Sequence, residues 1–178
     1  ENIPWNRVVK MMREQSNLAE QGNFTTVWLT EHHFAHNGYL NAPPNPIMMS
    51  LDLASHSKKI RVGQAPIVLP DWHPLRVAED VALLDNMTEG RVDFGVAKGI
   101  NERVTLQFNQ DADRRDNEKS YRLFMESLEV ILKAWTQDPF KHKGEFYEFP
   151  VSGWKETNRF LMPLEKEYHS DDGEYTGM

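Results

Sequence analysis

The chain has 178 residues, of which 39% are hydrophobic, and its formal charge is −7 at pH 7. This composition is typical of a globular protein, and the absence of cysteine excludes disulfides, thiolate metal sites and a cysteine nucleophile. The acidic balance and the scattered basic residues argue against a nucleic acid partner. Because no apolar run could cross a bilayer and the first residues lack the order of a signal peptide, we expect a cytoplasmic protein without a membrane contact.

Helices and strands alternate in the first part of the chain. Apolar positions at helical spacing predict a helix over residues 6–21, ended by Gly22. The β-branched and aromatic run at residues 24–30 predicts a buried strand. A loop rich in Asn, Gly and Pro follows, and Pro46 suits the first turn of a helix that extends to residue 57.

The same alternation continues through the middle of the chain. Residues 60–69 predict a strand, Pro74–Met87 a helix that ends before Gly90, and residues 91–97 a further strand. The stretch over residues 101–117 is polar and predicts no element. The pattern up to this point is that of a βαβαβ series.

The clearest helical pattern lies in the second half of the chain. Apolar residues from Tyr121 to Trp135 recur at the spacing of an amphipathic helix, which ends before Pro139. Residues 146–149 predict a short strand, and the tail over residues 151–178 is polar with little periodicity.

Strands that alternate with helices predict a parallel sheet in an α/β fold, either open or closed into a barrel. No repeat or linker divides the chain, so residues 1–178 are expected to form one domain. The chain opens on a helix with no strand before it, and a (β/α)8 barrel needs roughly 200 to 250 residues. We therefore expect an incomplete domain that lacks the first strand and the C-terminal half.

Two adjacent histidines follow the first predicted strand. His32 and His33 stand where the loops after parallel strands build active sites in α/β folds. An imidazole exchanges protons near neutral pH, and neighbours in an extended segment point to opposite sides, so one ring is expected to face a pocket. The alternative is a pair of partly buried, hydrogen-bonded histidines with structural roles.

A metal site at the same place is a competing hypothesis. His32 and His36 stand four residues apart, and Glu31 and Asp71 could supply carboxylates. This spacing brings two imidazoles to one face only in a helix, whereas the segment has the composition of a loop. The sequence therefore predicts no metal.

Polar residues also follow the next two predicted strands. His73 precedes a helix whose first turns contain Glu79 and Asp80, where acidic side chains complement the helix dipole. Gly95 permits close approach of backbone and Lys98 offers a positive charge to an anionic ligand. No Rossmann, Walker A or serine-hydrolase motif is present, so neither a nicotinamide dinucleotide nor a nucleoside triphosphate is expected.

Taken in order, these segments resemble the N-terminal portion of the bacterial luciferase family of flavin-dependent monooxygenases. The segments that carry the resemblance are residues 28–34 (WLTEHHF), 62–70 (VGQAPIVLP), 73–85 (HPLRVAEDVALLD) and 90–99 (GRVDFGVAKG). It covers residues 24–100 strongly and residues 101–150 loosely.

The resemblance implies a TIM-type (β/α)8 barrel that binds reduced flavin mononucleotide (FMN) at its C-terminal rim. Such an enzyme uses dioxygen to oxygenate a small organic substrate through a flavin hydroperoxide. His32 and His33 match catalytically important positions. The positions that match the cofactor site are Gly63, Gln64, Ala65 and Pro66 along the isoalloxazine ring, Glu79 near the flavin, and Lys98 at the phosphate.

Two alternatives stay open within this resemblance. One is a deazaflavin-dependent oxidoreductase of the same fold, which transfers hydride without oxygen, and the other is a non-catalytic flavin-binding remnant. Ala97 and Lys98 stand where light-emitting members have a cysteine and an arginine, so light emission is not expected.

The resemblance also implies partners. Reduced flavin would come from a separate flavin reductase, because the chain has no nicotinamide motif. Family members commonly form dimers through the helices that match Pro46–Ser57 and Pro74–Thr88, so a homodimer is an option for this chain. The apolar residues on those helices are Met48, Met49, Leu53, Val81 and Leu84.

Overall fold

Helices alternate with short strands through the part of the chain that the computed structural model describes, residues 3–34, 42–155, 168, 170 and 174. The helices are α1 (Trp5–Gln21), α2 (Pro46–Ser55), α3 (Pro74–Met87), α4 (Glu102–Phe108) and α5 (Asn117–Thr136). The strands are β1 (Thr26–Leu29), β2 (Arg61–Gln64), β3 (Ile67–Val68), β4 (Val92–Asp93), β5 (Val96–Ala97), β6 (His142–Lys143) and β7 (Glu148–Phe149). Among these residues no helix is both long enough and apolar enough to cross a membrane.

The strands of the first part of the chain pair in parallel. β2 lies between β1 and β4, and β3 pairs with β5. The register places Trp28 beside Gly63 and Gly63 beside Asp93. Parallel strands joined by helices confirm the predicted α/β class. The later strands β6 and β7 form an antiparallel hairpin.

Two predicted strands are each divided in the structure. Residues 60–69 form β2 and β3 with a break at Ala65 and Pro66, and residues 91–97 form β4 and β5 with a break at residues 94–95. Pro66 has no N–H to give to a ladder. Gly95 approaches the opposite backbone so closely that a Cβ there would lie 2.1 Å from the carbonyl oxygen of Gln64. Both strands therefore change direction at the same level, which a pattern of apolar residues does not reveal.

The polar stretch over residues 101–117 contains a helix that the sequence did not predict. Helix α4 begins at Asn101, whose side-chain oxygen accepts a hydrogen bond from the backbone N–H of Arg103. Thr105 is the buried residue of this helix. A helix that buries so little leaves no apolar stripe in the sequence, so hydrophobic periodicity misses it.

The two faces of the β1–β2–β4 sheet differ in cover. Leu29 and Val62 pack against Leu53 and Ala54 of α2 on one face. Trp28 lies on the other face and remains 54% exposed. Side chains alternate along a strand, so one face of the sheet is covered by α2 and the other face is open.

The helices that the resemblance assigns to a dimer interface supply this chain's own core. The exposed fraction is 4% or less for three apolar residues on these helices, Leu53, Val81 and Leu84. These three side chains pack against other parts of the same chain, as helices that cover a sheet do. Of the five apolar residues that the resemblance assigns to the interface, Met48 is the exposed one, with an exposed fraction of 69%.

The ring of Trp28 requires a glycine at position 63. An added Cβ at Gly63 would lie 2.4 Å from the indole ring. We expect Gly63→Ala to lower the free energy of unfolding by ~1–3 kcal/mol, as overpacking of a close contact does. Urea unfolding of the purified chain measures this loss.

A double variant and a matched control identify the cause of that loss. Adding Trp28→Leu to Gly63→Ala removes the ring and should restore most of the lost stability. Gly22→Ala is the control, because its Cβ would first meet an atom of Phe24 at 3.3 Å. An equal loss with and without the Trp28 ring would contradict the assigned contact.

Candidate active site

The ends of β1 and β3 are joined through one buried carboxylate. Glu31 follows β1, and its side chain is 0% exposed. Its Oε2 atom accepts a hydrogen bond from the backbone N–H of Val68 at 2.9 Å, and its Oε1 atom accepts one from the indole N–H of Trp72 at 2.9 Å. Carboxyl ends of parallel strands meet at one edge of a sheet, and Glu31 fixes this edge.

His33 completes the contacts of Glu31. Its Nε2 atom lies 2.8 Å from Oε1 of Glu31, and because an ionised carboxylate only accepts, the imidazole donates. The His33 ring lies 4.6 Å from the ring of Phe108 and 5.9 Å from that of Phe34. One edge of the imidazole is therefore held by a hydrogen bond, and the rings of Phe34 and Phe108, which stack on each other at 5.6 Å, pack beside it.

His32 has a different environment from its neighbour. It is half-buried, and its backbone N–H donates to the carbonyl of Pro43 at 3.4 Å. His33 is 11% exposed at its side chain and belongs to the Glu31 contacts. The two histidines thus do not share one site role, which agrees with the opposite directions of neighbours in an extended segment.

Asp71 lies next to this pair without a hydrogen-bond partner. Both of its carboxylate oxygens are buried, and neither meets a donor within the described residues. One ligand atom each from Glu31, His33 and Asp71 lies within 4.8 Å of the others. Burial and the charge of Glu31 raise the pKa of Asp71 to about 7, while the charge of His33 opposes the rise.

This arrangement differs from the metal hypothesis drawn from the sequence. The residue grouped with Glu31 and Asp71 is His33 rather than His32, and His36 lies outside the described residues. Both oxygens of Glu31 already accept hydrogen bonds. Glu31 and His33 are therefore joined by a hydrogen bond, and Asp71 lies beside them outside that bond.

A cavity of about 320 Å³ opens beside Asp71. Its volume lies at the lower end of those that hold small ligands. The residues that line it are Pro70, Asp71, Trp72, His73, Phe108, Asn109, Asp111, Leu123, Phe146 and Tyr147. Of these, the sequence singled out Asp71 and His73 as candidate functional residues, because the positions of the others depend on how α4 and the β6–β7 hairpin pack.

His73 anchors the loop after β3 to the β6–β7 hairpin. Its ring makes edge contacts with those of Tyr147 and Phe149, each at 5.8 Å between centroids. Burial, and to a lesser extent the charge of Arg76, lowers the pKa of His73. Its imidazole therefore favours the neutral form, which suits contact with two aromatic rings.

The first half of the predicted cofactor segment is covered. Gly63 lies under the ring of Trp28. Gln64 is fully buried, and its side chain points into the helix layer, where its Nε2 atom donates to Oγ of Ser50 at 2.8 Å. Ala65 is exposed and Pro66 is half-buried. A ligand on the open face of the sheet would therefore meet the exposed ring of Trp28 rather than Gln64.

Two further predicted residues lie apart from the Glu31 contacts. Glu79 is 66% exposed on α3 and pairs with Arg76 at 2.7 Å. Lys98 follows β5, and its Nζ atom donates to the side chain of Asn117. Arg114 was missed in the sequence although it lies at the same place and donates to the carbonyl of Gly99. The pair of arginines at residues 114–115 was its one visible signal.

Comparison with known proteins identifies the family of this chain. A family model described as luciferase-like monooxygenase matches residues 5–165. The chain belongs to the luciferase-like monooxygenase family. The resemblance found in the sequence is thereby confirmed.

Curated relatives of this luciferase-like chain include several monooxygenases. The oxygenase component of the flavin-dependent trigonelline monooxygenase of Acinetobacter baylyi is 30% identical over 139 residues, which are 78% of this chain and 37% of that protein. The alkanal monooxygenase beta chain of Vibrio harveyi is 31% identical over 144 residues, which are 81% of this chain and 42% of that protein. The chain thus spans less than half the length of these relatives.

Solved structures share the fold at low identity. The oxygenating constituent of 3,6-diketocamphane monooxygenase of Pseudomonas putida, solved in complex with FMN, has a TM-score of 0.72 at 19% identity and is matched over 98% of this chain and 45% of that chain. The coenzyme F420 dependent tetrahydromethanopterin reductase of Methanopyrus kandleri has a TM-score of 0.57 at 19% identity over 83% of this chain and 41% of that chain. At these identities the likeness concerns the fold alone.

The three hydrogen bonds at Glu31 generate a stability prediction. In Glu31→Gln, one carboxylate oxygen becomes an NH2 group, which donates and cannot accept. That group would face either the N–H of Val68 or the N–H groups of Trp72 and His33. Removing a buried charged acceptor from such contacts costs roughly 1.5–3 kcal/mol, so the free energy of unfolding should fall by about that amount. Urea unfolding at neutral pH measures the fall.

Glu129→Gln is the matched control for this variant. Its carboxylate is 55% exposed and pairs with Lys133 on the surface of α5, where an ion pair contributes little. If Glu31→Gln is no less stable than Glu129→Gln, the Glu31 carboxylate does not hold the two strand ends together.

Proposed function

We propose that this chain forms the flavin site of a flavin-dependent monooxygenase, which uses reduced FMN and dioxygen to oxygenate a small organic substrate. The observation that carries the proposal is the polar group of Glu31, His33 and Asp71 at the ends of β1 and β3, beside an open cavity. The parallel strands and their helices support placing the chain within a (β/α)8 barrel, of which it would form the first part, as a single luciferase-like domain.

The residues at the strand ends fit a flavin. Gly63 lies beneath the ring of Trp28, which is 54% exposed on the open face of the sheet, and a Cβ at Gly99 would meet Val68 at 2.7 Å. Lys98 and Arg114 bring two positive charges to the end of β5, which suits a phosphate. An apolar ring with an anionic tail therefore finds matching surfaces on neighbouring strands.

The roles of individual residues follow from these positions. The backbone of Gly63, Gln64, Ala65 and Pro66 would lie along the isoalloxazine ring, and Lys98 would hold the phosphate. When bound, reduced flavin supplies the electrons that activate dioxygen. His32 and His33 would hold or donate a proton at the ring, and Trp28 would exclude water from it. Glu79 would act from the surface of α3, where Arg76 now pairs with it.

Partners follow from the relatives. The trigonelline enzyme is named as an oxygenase component, which supports a separate flavin reductase as the source of reduced flavin for this chain. Met48 of α2 and Leu83 and Met87 of α3 are exposed apolar residues that a homodimer could use. A cytoplasmic location agrees with a reductase that works on free flavin.

A deazaflavin is the second candidate cofactor. The fold likeness to a coenzyme F420 dependent reductase favours it, since the same parallel strands carry a hydride-transfer enzyme in that case. A non-catalytic flavin-binding role is the third candidate. Uptake of dioxygen by the reduced complex separates the monooxygenase from both.

Anaerobic titration with reduced FMN tests the proposed cofactor. We expect saturable binding that weakens by about tenfold in Lys98→Ala, a change of ~1.4 kcal/mol, because one phosphate contact is lost. Lys10→Ala on the exposed surface of α1 is the control and should bind like the original chain.

Admission of dioxygen to the same samples tests the histidines. His32→Ala and His33→Ala should retain flavin binding and change the rate at which the reduced flavin is reoxidised. Absence of binding at high flavin concentration, or equal affinity in Lys98→Ala and Lys10→Ala, would contradict the proposed site.

A further inference from the structure

We propose that Glu31, His33 and Asp71 form a proton-sharing triad, in which Asp71 is a positioning residue that sets when the imidazole of His33 carries its second proton. Its bearing on catalysis rests on the proposed flavin function, whereas the proton sharing itself does not. No part of the resemblance to luciferases assigns a role to Asp71.

The geometry gives the two carboxylates opposite surroundings. Glu31 accepts hydrogen bonds from Val68, Trp72 and His33, an arrangement that an ionised carboxylate provides. Asp71 lies within 4.8 Å of this group, and its two buried oxygens meet no donor among the described residues. A buried carboxylate without a donor and beside another carboxylate is favoured in its protonated form.

The same geometry couples Asp71 to His33. The Nε2–H group of His33 is donated to Glu31, so a second proton on the ring must reside on Nδ1. Ionised Asp71 would stabilise that second proton by its charge, and protonated Asp71 would not. Protonated Asp71 with a neutral ring, and ionised Asp71 with a charged ring, have the same net charge. Near neutral pH the two groups therefore compete for one proton.

The pKa of Asp71 supports this competition. Burial and the charge of Glu31 raise it to about 7, and His33 lowers it. Asp71 therefore gains or loses its charge near neutral pH, beside the ring of His33.

Other titratable groups around the cavity are His73, Asp111 and Tyr147. Asp111 is exposed and pairs with Lys119 at 2.7 Å. Burial raises the pKa of Tyr147 above its usual value, so its hydroxyl stays neutral, and burial lowers the pKa of His73. These groups line the cavity together with Asp71. They are not part of the cluster of Glu31, His33 and Asp71, whose ligand atoms lie within 4.8 Å of one another.

Nuclear magnetic resonance of the 13C-labelled 178-residue chain tests the coupling. The Cε1–H signal of His33, assigned by its loss in His33→Gln, is followed between about pH 5 and 9 in the original chain, Asp71→Asn and Asp111→Asn. We expect Asp71→Asn to move the midpoint of His33 to lower pH and to make its titration a single step. Asp111→Asn, which changes an aspartate in the same cavity wall, should leave the midpoint unchanged.

The reciprocal measurement uses the side-chain carboxyl carbon of Asp71. In His33→Gln its midpoint should move to higher pH, because the imidazolium that favoured the ionised carboxylate is gone. This arm tests the coupling independently of how Asp71→Asn folds. Because neither arm contains flavin, failure of the proposed flavin function leaves both results interpretable.

Three results would overturn the triad. The first is an unchanged His33 midpoint in Asp71→Asn, and the second is an equal shift in Asp111→Asn. The third comes from adding Zn²⁺ to the original chain. If the original chain binds one equivalent of Zn²⁺ and Asp71→Asn abolishes that binding, the three side chains are a metal site. Absence of Zn²⁺ binding supports proton sharing.

Discussion

The site depends on the buried carboxylate of Glu31. A single side chain accepts hydrogen bonds from the backbone at the end of β3, from the indole of Trp72 and from His33. Two of these donors belong to a different βα segment from Glu31 itself, so the contact fixes the relative position of two strand ends. The cost of burying the charge is offset by three donors, and their loss would leave an unpaired anion in the interior.

The alternation of side chains along the strands explains why a site can lie beside this core. Leu29 and Val62 are covered by α2, whereas Trp28 and Gly63 face the opposite side. Glycine at position 63 lets the indole ring lie flat on the backbone, and glycine at position 95 brings two strands into close approach. The helix layer thus stabilises the sheet, and the opposite face carries the exposed ring of Trp28, where we propose that a flat ligand binds.

Much of this arrangement could be predicted from the sequence, and the remainder depends on tertiary contacts. Periodicity predicted the helices from residue 6 and from Pro74 because each buries an apolar stripe. It failed at residues 65–66 and 94–95, where missing N–H groups and a close backbone approach break the strands. The position of His33 after a strand was predictable. Its partnership with Asp71, which lies 38 positions further along the chain, was not, because no local pattern encodes how two strand ends meet.

Backbone amide chemical shifts of the chain, mapped in the presence and absence of reduced FMN, test the central claim most directly. The account predicts that the perturbed amides cluster at the strand ends, in residues 30–34, 63–72 and 94–99. Amides of α1 and of the β6–β7 hairpin should change little. Perturbations confined to those outer elements, or none at saturating flavin, would contradict a flavin site built on the Glu31 contacts.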